Sequence, residues 1–316
     1  MSLSRIFLMG SIWLVLSECG KAAITIGSPT TQWQAVVYAN PNSADPANDH
    51  QTGISEGDIV GNAANAAFYT QFDNGGTAAN LTDGEIAFRM RLAADSNPGG
   101  LNVVVWVGID ANVDGKIDLF AGAFEGNTIG LYPAGTGTNT SPSTTSIVSS
   151  SPYFQTAVTT LNFNFAPVTT TINPGVTNTN LDGGSGGGAN HTDQFVSMKF
   201  NFNTLVSAIA GMTFPGAATF NENSPLRYIV ATSNQKNTLN QDLNGINGSV
   251  NSTATFGDLG VFTPVYSGNG TVVAIPEVSA AWLCQIPLIG LLWRWRRPRL
   301  LATAPRTADP KGASPL

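Results

Sequence analysis

Residues 24–270 predict an all-β fold, an antiparallel β-sandwich with a jelly-roll path as one option, and three observations predict it. Strand-length runs, either apolar throughout or alternating with period 2, recur along the segment. Turn-forming clusters such as Asp73-Asn74-Gly75-Gly76 and Asn97-Pro98-Gly99-Gly100 separate them. The composition is poor in charge, at 11% of residues, and holds 34 Gly and 16 Phe, as exported β proteins do.

The first runs are 32–38 and 66–72, rich in aromatic and apolar residues. Residues 85–92 place Ile86, Phe88, Met90 and Leu92 on one face and Glu85, Arg89 and Arg91 on the other. Residues 101–109 (LNVVVWVGI) are apolar almost throughout, which puts Trp106 in the core. The remaining runs are 116–124, 161–165, 195–202, 226–231 and 250–256. Only residues 204–211 (TLVSAIAG) read as a short helix, which stops at Gly211. Two stretches interrupt the pattern, 135–151 and 169–190. Both hold too little apolar surface to offset their ordering entropy and are expected to be long mobile loops rich in Gly, Thr and Ser, a division into sub-domains being the alternative.

The two ends carry addresses. Residues 1–5 are a short basic start, 6–17 an apolar core and Ala22-Ala23 a small-residue cleavage point, so 1–23 is read as a signal peptide; an uncleaved anchor is the alternative. At the other end, Ile275-Pro276-Glu277-Val278-Ser279 leads into an apolar run to Trp293, a short transmembrane helix, followed by Arg294, Arg296, Arg297 and Arg299. Residues 300–316 read as a disordered tail.

With the ends set aside, the body holds no cysteine, because Cys19 and Cys284 lie outside it. Disulfides, thiolate metal sites and Cys nucleophiles are thereby excluded. Between Ile24 and Ile275 stand six basic residues (Arg89, Arg91, Lys116, Lys199, Arg227, Lys236) and 17 acidic ones, a net of −11. Such a surface repels nucleic acid and suits cations.

The constellation with the clearest chemistry is Asp110-Ala111-Asn112-Val113-Asp114-Gly115-Lys116-Ile117-Asp118. It offers oxygen ligands at alternate positions, from Asp110, Asn112, Asp114, the Lys116 carbonyl and Asp118, with Gly115 where the chain must turn. The spacing resembles the first half of an EF-hand loop, but Ala121 stands where the bidentate Glu would, and both flanks are strand-like. A β-hairpin pinned by structural calcium is therefore expected, the alternative being an Asx-rich turn that needs no ion. Two further acidic stretches, 45–58 and 240–245, are read as solvated turns, with further cation loops as the alternative.

Catalytic constellations are weak, and no catalytic residue is assigned. Gly183-Gly184-Ser185-Gly186-Gly187 has the G-x-S-x-G spacing near His191 and Asp193, yet a glycine tract supplies neither the strand nor the helix of a nucleophile elbow. His50 and His191 lack the partners of a zinc site. Asp83 and Glu85 are close in sequence, as acidic residues in such a body are by chance. Trp33, Tyr38, Tyr69, Trp106, Tyr132, Tyr153 and Tyr228 would support a sugar-binding face wherever their rings are exposed.

The Pro-Glu motif, the apolar run with Trp282 and Gly290, and the Arg cluster, taken with the signal peptide, resemble the PEP-CTERM sorting signal of bacterial surface proteins. The resemblance covers residues 275–299, departs from the usual motif at Val278, and implies processing by signal peptidase and by an exosortase near Pro276-Glu277. The Asp-x-Asn-x-Asp-Gly loop and residues 226–242 also look similar to bodies found with such tails. Together these features lead to the expectation of a non-enzymatic, calcium-stabilised protein exported to the cell surface or extracellular matrix, with a structural or adhesive role. Extracellular polysaccharide is an expected partner, and the alternative is a secreted carbohydrate-binding or glycan-active protein held by its C-terminal anchor.

Overall fold

The computed structural model describes residues 23–36, 38, 45–51, 55–77, 79–93, 100–124, 127–181, 192–248 and 250–273. The expected signal peptide, sorting motif (Ile275, Pro276, Glu277, Arg294, Arg296, Arg297), apolar C-terminal helix and tail lie outside these residues, as does His191. Among the described residues no helix is long and apolar enough to cross a membrane.

Two antiparallel sheets share one core, the arrangement of a β-sandwich. The first sheet runs β1 (Gln34–Ala35), β2 (Phe68–Asp73), β3 (Glu85–Leu92), β9 (Gln194–Asn201) and β8 (Phe163–Pro167). The second runs β11 (Asp242–Leu243), β10 (Pro225–Ser233), β4 (Val104–Asp110), β5 (Leu119–Phe124), β6 (Thr128–Pro133) and β7 (Phe154–Ala157), with β12 (Tyr266–Ser267) beside β10. The chain changes sheets after β3, after β7 and after β9.

Alternation decides what each face buries. Phe88 and Met90 of β3, Met198 and Phe200 of β9, Val105 and Val107 of β4, and Tyr228 and Val230 of β10 meet between the sheets. Trp106, Phe120, Tyr132 and Ile229 point to the opposite face of the second sheet, where Leu239, Leu243, Phe256 and Val261 from the C-terminal loops cover them. β4 is therefore buried along its whole length, as its apolar run requires. Gly122 of β5 faces the Trp106 ring so closely that an added Cβ would stand 2.4 Å from it. The indole in turn meets Phe120, Phe124 and Tyr132 edge to face.

The outer face of the first sheet carries two buried arginines, Arg89 covered by residues 24–33 and Arg91 by the segment around Asn178 and Asp193. Arg89 is fully buried, donates to Ser197 Oγ at 2.8 Å and to the Ile26 carbonyl at 2.8 Å, and stacks on Trp33. Arg91 is also fully buried, and its Nε donates to Asp193 at 2.7 Å. Asp193, which stands near the glycine tract in sequence, is thus committed to an ion pair.

Three expectations are corrected. Residues 250–256 form no strand: Thr255 caps the short helix α2 (Phe256–Leu259) by accepting from the Asp258 N–H. β6, β7, β11 and β12 are strands that the pattern left out. Residues 135–151 are not a loose loop, since Asn139, Ser141, Thr145 and Ile147 are buried there. Asn139 Nδ2 donates to the Gly135 carbonyl at 2.7 Å, and Thr145 Oγ1 donates to the Ser141 carbonyl at 2.7 Å. Backbone bonds run from Gly135 to Ser146, from Ile147 to Asn237 and from Phe256 to Thr140. Side-chain hydrogen bonds here offset the ordering entropy in place of apolar burial. The expected helix is present as α1 (Phe202–Ala210), capped by Asn201 and buried through Phe202, Leu205 and Ile209.

Candidate metal centre

The two acidic stretches read as solvated turns, 45–58 and 240–245, meet each other in the interior. Residues 55–61 cross the end of β3, where Val60 N–H donates to the Arg91 carbonyl and Ala93 N–H to the Asp58 carbonyl. β11 pairs Asp242 with Thr232 of β10 and so carries its own acid to the same place. Asp45 is 3% exposed, Asp58 1% and Asp242 0%, while Asp49 is half-buried. One carboxylate oxygen from each of Asp45, Asp49 and Asp242 lies within 4.8 Å of the other two.

Backbone N–H groups hold one oxygen each of Asp45 and Asp49 and both oxygens of Asp242, whose Oδ1 accepts from Leu243 N–H at 2.6 Å. Ile59 N–H donates to Asp242 Oδ2 at 2.6 Å and Gly248 N–H to Asp49 Oδ2 at 2.8 Å. Gly245 N–H donates to Asp45 Oδ1, a bond that its left-handed φ of 93° makes accessible. Asp58 accepts from Asn48 N–H at 2.7 Å and faces His50 Nδ1 at 3.3 Å. Asp45 Oδ2 is left buried with no hydrogen bond, while the Tyr38 hydroxyl pairs with the Asn244 side chain and the Asp49 carboxyl with that of Asp58. Buried polar atoms are ordinarily satisfied, so this one marks a place shaped for something else.

The electrostatics agree with the geometry. Burial first, and then the charge of Asp242, holds the Asp45 carboxyl well above the usual carboxylate range. Burial and the charge of Asp49 do the same to Asp242, while burial chiefly pushes Asp49 up to about 6. Tyr38 is raised by burial and by the charge of Asp45, against a hydrogen bond with the Asn244 side chain that lowers it. Among the described residues the basic group that faces this cluster is His50. Buried like charges without a counter-charge either keep their protons or take up a cation.

The hairpin flagged by its spacing joins β4 to β5, with Asp118 N–H donating to the Ile109 carbonyl. Asp110 is fully buried, accepts from Asp114 N–H at 3.1 Å and Gly115 N–H at 2.9 Å, and is paired with Arg227 Nε at 2.8 Å. Asn112 accepts from Asp114 N–H, Asp114 from Lys116 N–H at 2.9 Å, and Asp118 from Ala111 N–H at 2.8 Å. Val113 and Gly115 take φ of 60° and 93° to make this possible. For a β-branched residue that conformation is costly, and it persists because the loop's N–H groups converge on Asp110. Burial, together with the charges of Asp110 and Asp114, pushes Asp118 up to about 7.

Reading the sequence one loop at a time missed the junction of residues 45–58 with 240–245, although each loop carries its own signal of oxygen side chains ending at a Gly. Of the seven rings considered for sugar stacking, Tyr153 is exposed, at 46%, and the other six are buried. No family model, curated protein or solved structure matches this chain.

Proposed function

We propose that this protein is an exported β-sandwich that serves a structural or adhesive role at the cell surface or in the extracellular matrix, clamped by calcium rather than acting as an enzyme. The observation that carries the reading is the convergence of Asp45, Asp49 and Asp242, with Asp45 Oδ2 buried and without a hydrogen bond. The donor set is all oxygen, from carboxylates, with a hydroxyl and an amide nearby, which is the chemistry of calcium and not of zinc or copper. Calcium is abundant outside cells, where modules bind it with dissociation constants of about 0.1–1 mM. The hairpin residues Asp110, Asn112, Asp114, Lys116 and Asp118 are a second place for calcium in this reading, completed through Asp114 and Asp118 because Arg227 already neutralises Asp110.

Support for export is the pairing of a signal peptide with the Pro-Glu motif, apolar run and Arg cluster, which would bring signal peptidase and an exosortase-like enzyme to the two ends. A jelly-roll-like path is the finer reading of the sandwich, supported by the late strands β9 and β10 returning beside β3 and β4.

The test is thermal unfolding of the purified protein with calcium or a chelator. At a calcium concentration 100 times the dissociation constant the folded state gains about 2.7 kcal/mol, a rise in Tm of about 5–10 °C for a domain of this size. Asp242→Asn should remove most of that rise and the terbium luminescence excited through Tyr38. Equal melting with calcium and with chelator, together with absent terbium luminescence, would overturn the clamp.

A further inference from the structure

A groove of about 500 Å³ opens between the β4–β5 hairpin, the 134–139 segment and the end of α1. Its volume lies in the range of ligand sites. Part of its lining is apolar: Tyr153 with its ring exposed, and Met212 and Phe214, both half-buried. The rest is polar, with the Lys116 ammonium available to donate and the Thr138 hydroxyl to donate and accept.

That polar lining is rigid where its composition predicts mobility. Gly135 N–H donates to the Ser146 carbonyl at 2.7 Å, and Ile117 N–H donates to the Asn139 carbonyl at 2.9 Å. Asn139 itself sits at φ 52° and ties the turn through its side chain to Gly135. The Tyr153 backbone is held as well, its N–H donating to the Leu131 carbonyl at 2.9 Å. An exposed aromatic on an ordered backbone costs less to engage a ligand than one on a loose loop.

We infer that this groove binds a neutral glycan, with a sugar ring stacked on Tyr153 and its hydroxyls meeting Thr138 and the Lys116 ammonium. A sugar has an apolar C–H face and a hydroxyl edge, which match the two kinds of lining. Neutrality follows from charge: Asp114 and Asp118 line the groove, and a body of net −11 repels acidic polymers. The inference supplies the adhesive reading with a partner class and does not depend on the calcium clamp.

The experiment is affinity electrophoresis of the full-length protein through gels containing dextran, hydroxyethylcellulose or polygalacturonate. Retardation is expected in at least one of the two neutral gels and not in the acidic one. Tyr153→Ala should weaken it about tenfold or more, as loss of a stacked ring does, whereas Tyr153→Phe should retain it. Both variants should melt as the parent does, because this side chain is exposed. Asp242→Asn, on the clamp, should keep the retardation, which separates failure of the groove from failure of the calcium reading. Absence of retardation in both neutral gels, retardation by polygalacturonate alone, or full retardation of Tyr153→Ala would each overturn the inference.

Discussion

At the scale of single residues, the chemistry lies in carboxyl groups whose surroundings oppose their charge. Asp49 titrates at about 6 and Asp118 at about 7, both chiefly because they are buried, against an unfolded value of about 3.9. A carboxyl raised in the folded state keeps its proton longer there than in the unfolded chain. The stability it contributes is therefore complete below pH about 4 and declines as pH rises through about 6 to 7. In chelator, Tm is expected to fall steadily from pH 4.5 to 7.5, and saturating calcium should flatten the slope by holding the same groups ionised at no penalty. A flat profile in chelator would show that these carboxyls are solvated. The sequence displayed each Asp but not its burial, since an Asp beside Gly and Asn reads the same in a solvated turn and in a closed site. Arg227, which neutralises Asp110, stands 117 residues away and could not be assigned to the hairpin from spacing.

At the scale of elements, periodicity made β3, β4, β5, β9 and β10 legible, because each carries enough alternating or continuous apolar residues to declare a face. β7 offers little beyond Phe154 and lies at a sheet edge, so its pattern is faint. The error at residues 250–256 has a local cause: Thr255-Phe256-Gly257-Asp258 is a helix-start signal, and it outweighed the alternation before it. Glycines within strands carry meaning that propensity scales miss. Gly122→Ala should destabilise the protein by about 2 kcal/mol in urea unfolding, the usual cost of forcing a methyl against a packed ring, here that of Trp106. A change below about 0.5 kcal/mol, the size of an ordinary surface substitution, would mean that β5 can move away from the indole.

At the scale of the whole molecule, the reading of export joins a strongly acidic, cysteine-free body to two address segments. Intact mass of the protein recovered from its native host is expected to begin near Ile24 and to end before Arg294; a C terminus retained at Leu316 would remove the sorting claim. The two sheets were legible because so many strand-length runs are separated by turn clusters. The junction of 45–58 with 240–245 was not, because it depends on a pairing that only the closed sandwich creates.

In the proposed clamp, that junction acts as a reversible cross-link. The bond from Gly245 to Asp45 spans 200 positions, that from Gly248 to Asp49 spans 199, and Ile59 to Asp242 spans 183. A covalent bridge restrains the unfolded chain as well, whereas these bonds and a bound ion would hold only the folded one, so the tie would stabilise by mass action and follow the calcium concentration. Under the calcium proposal redox conditions would leave that tie untouched, and a chelator would do to this chain what a reductant does to disulfide-bonded ones.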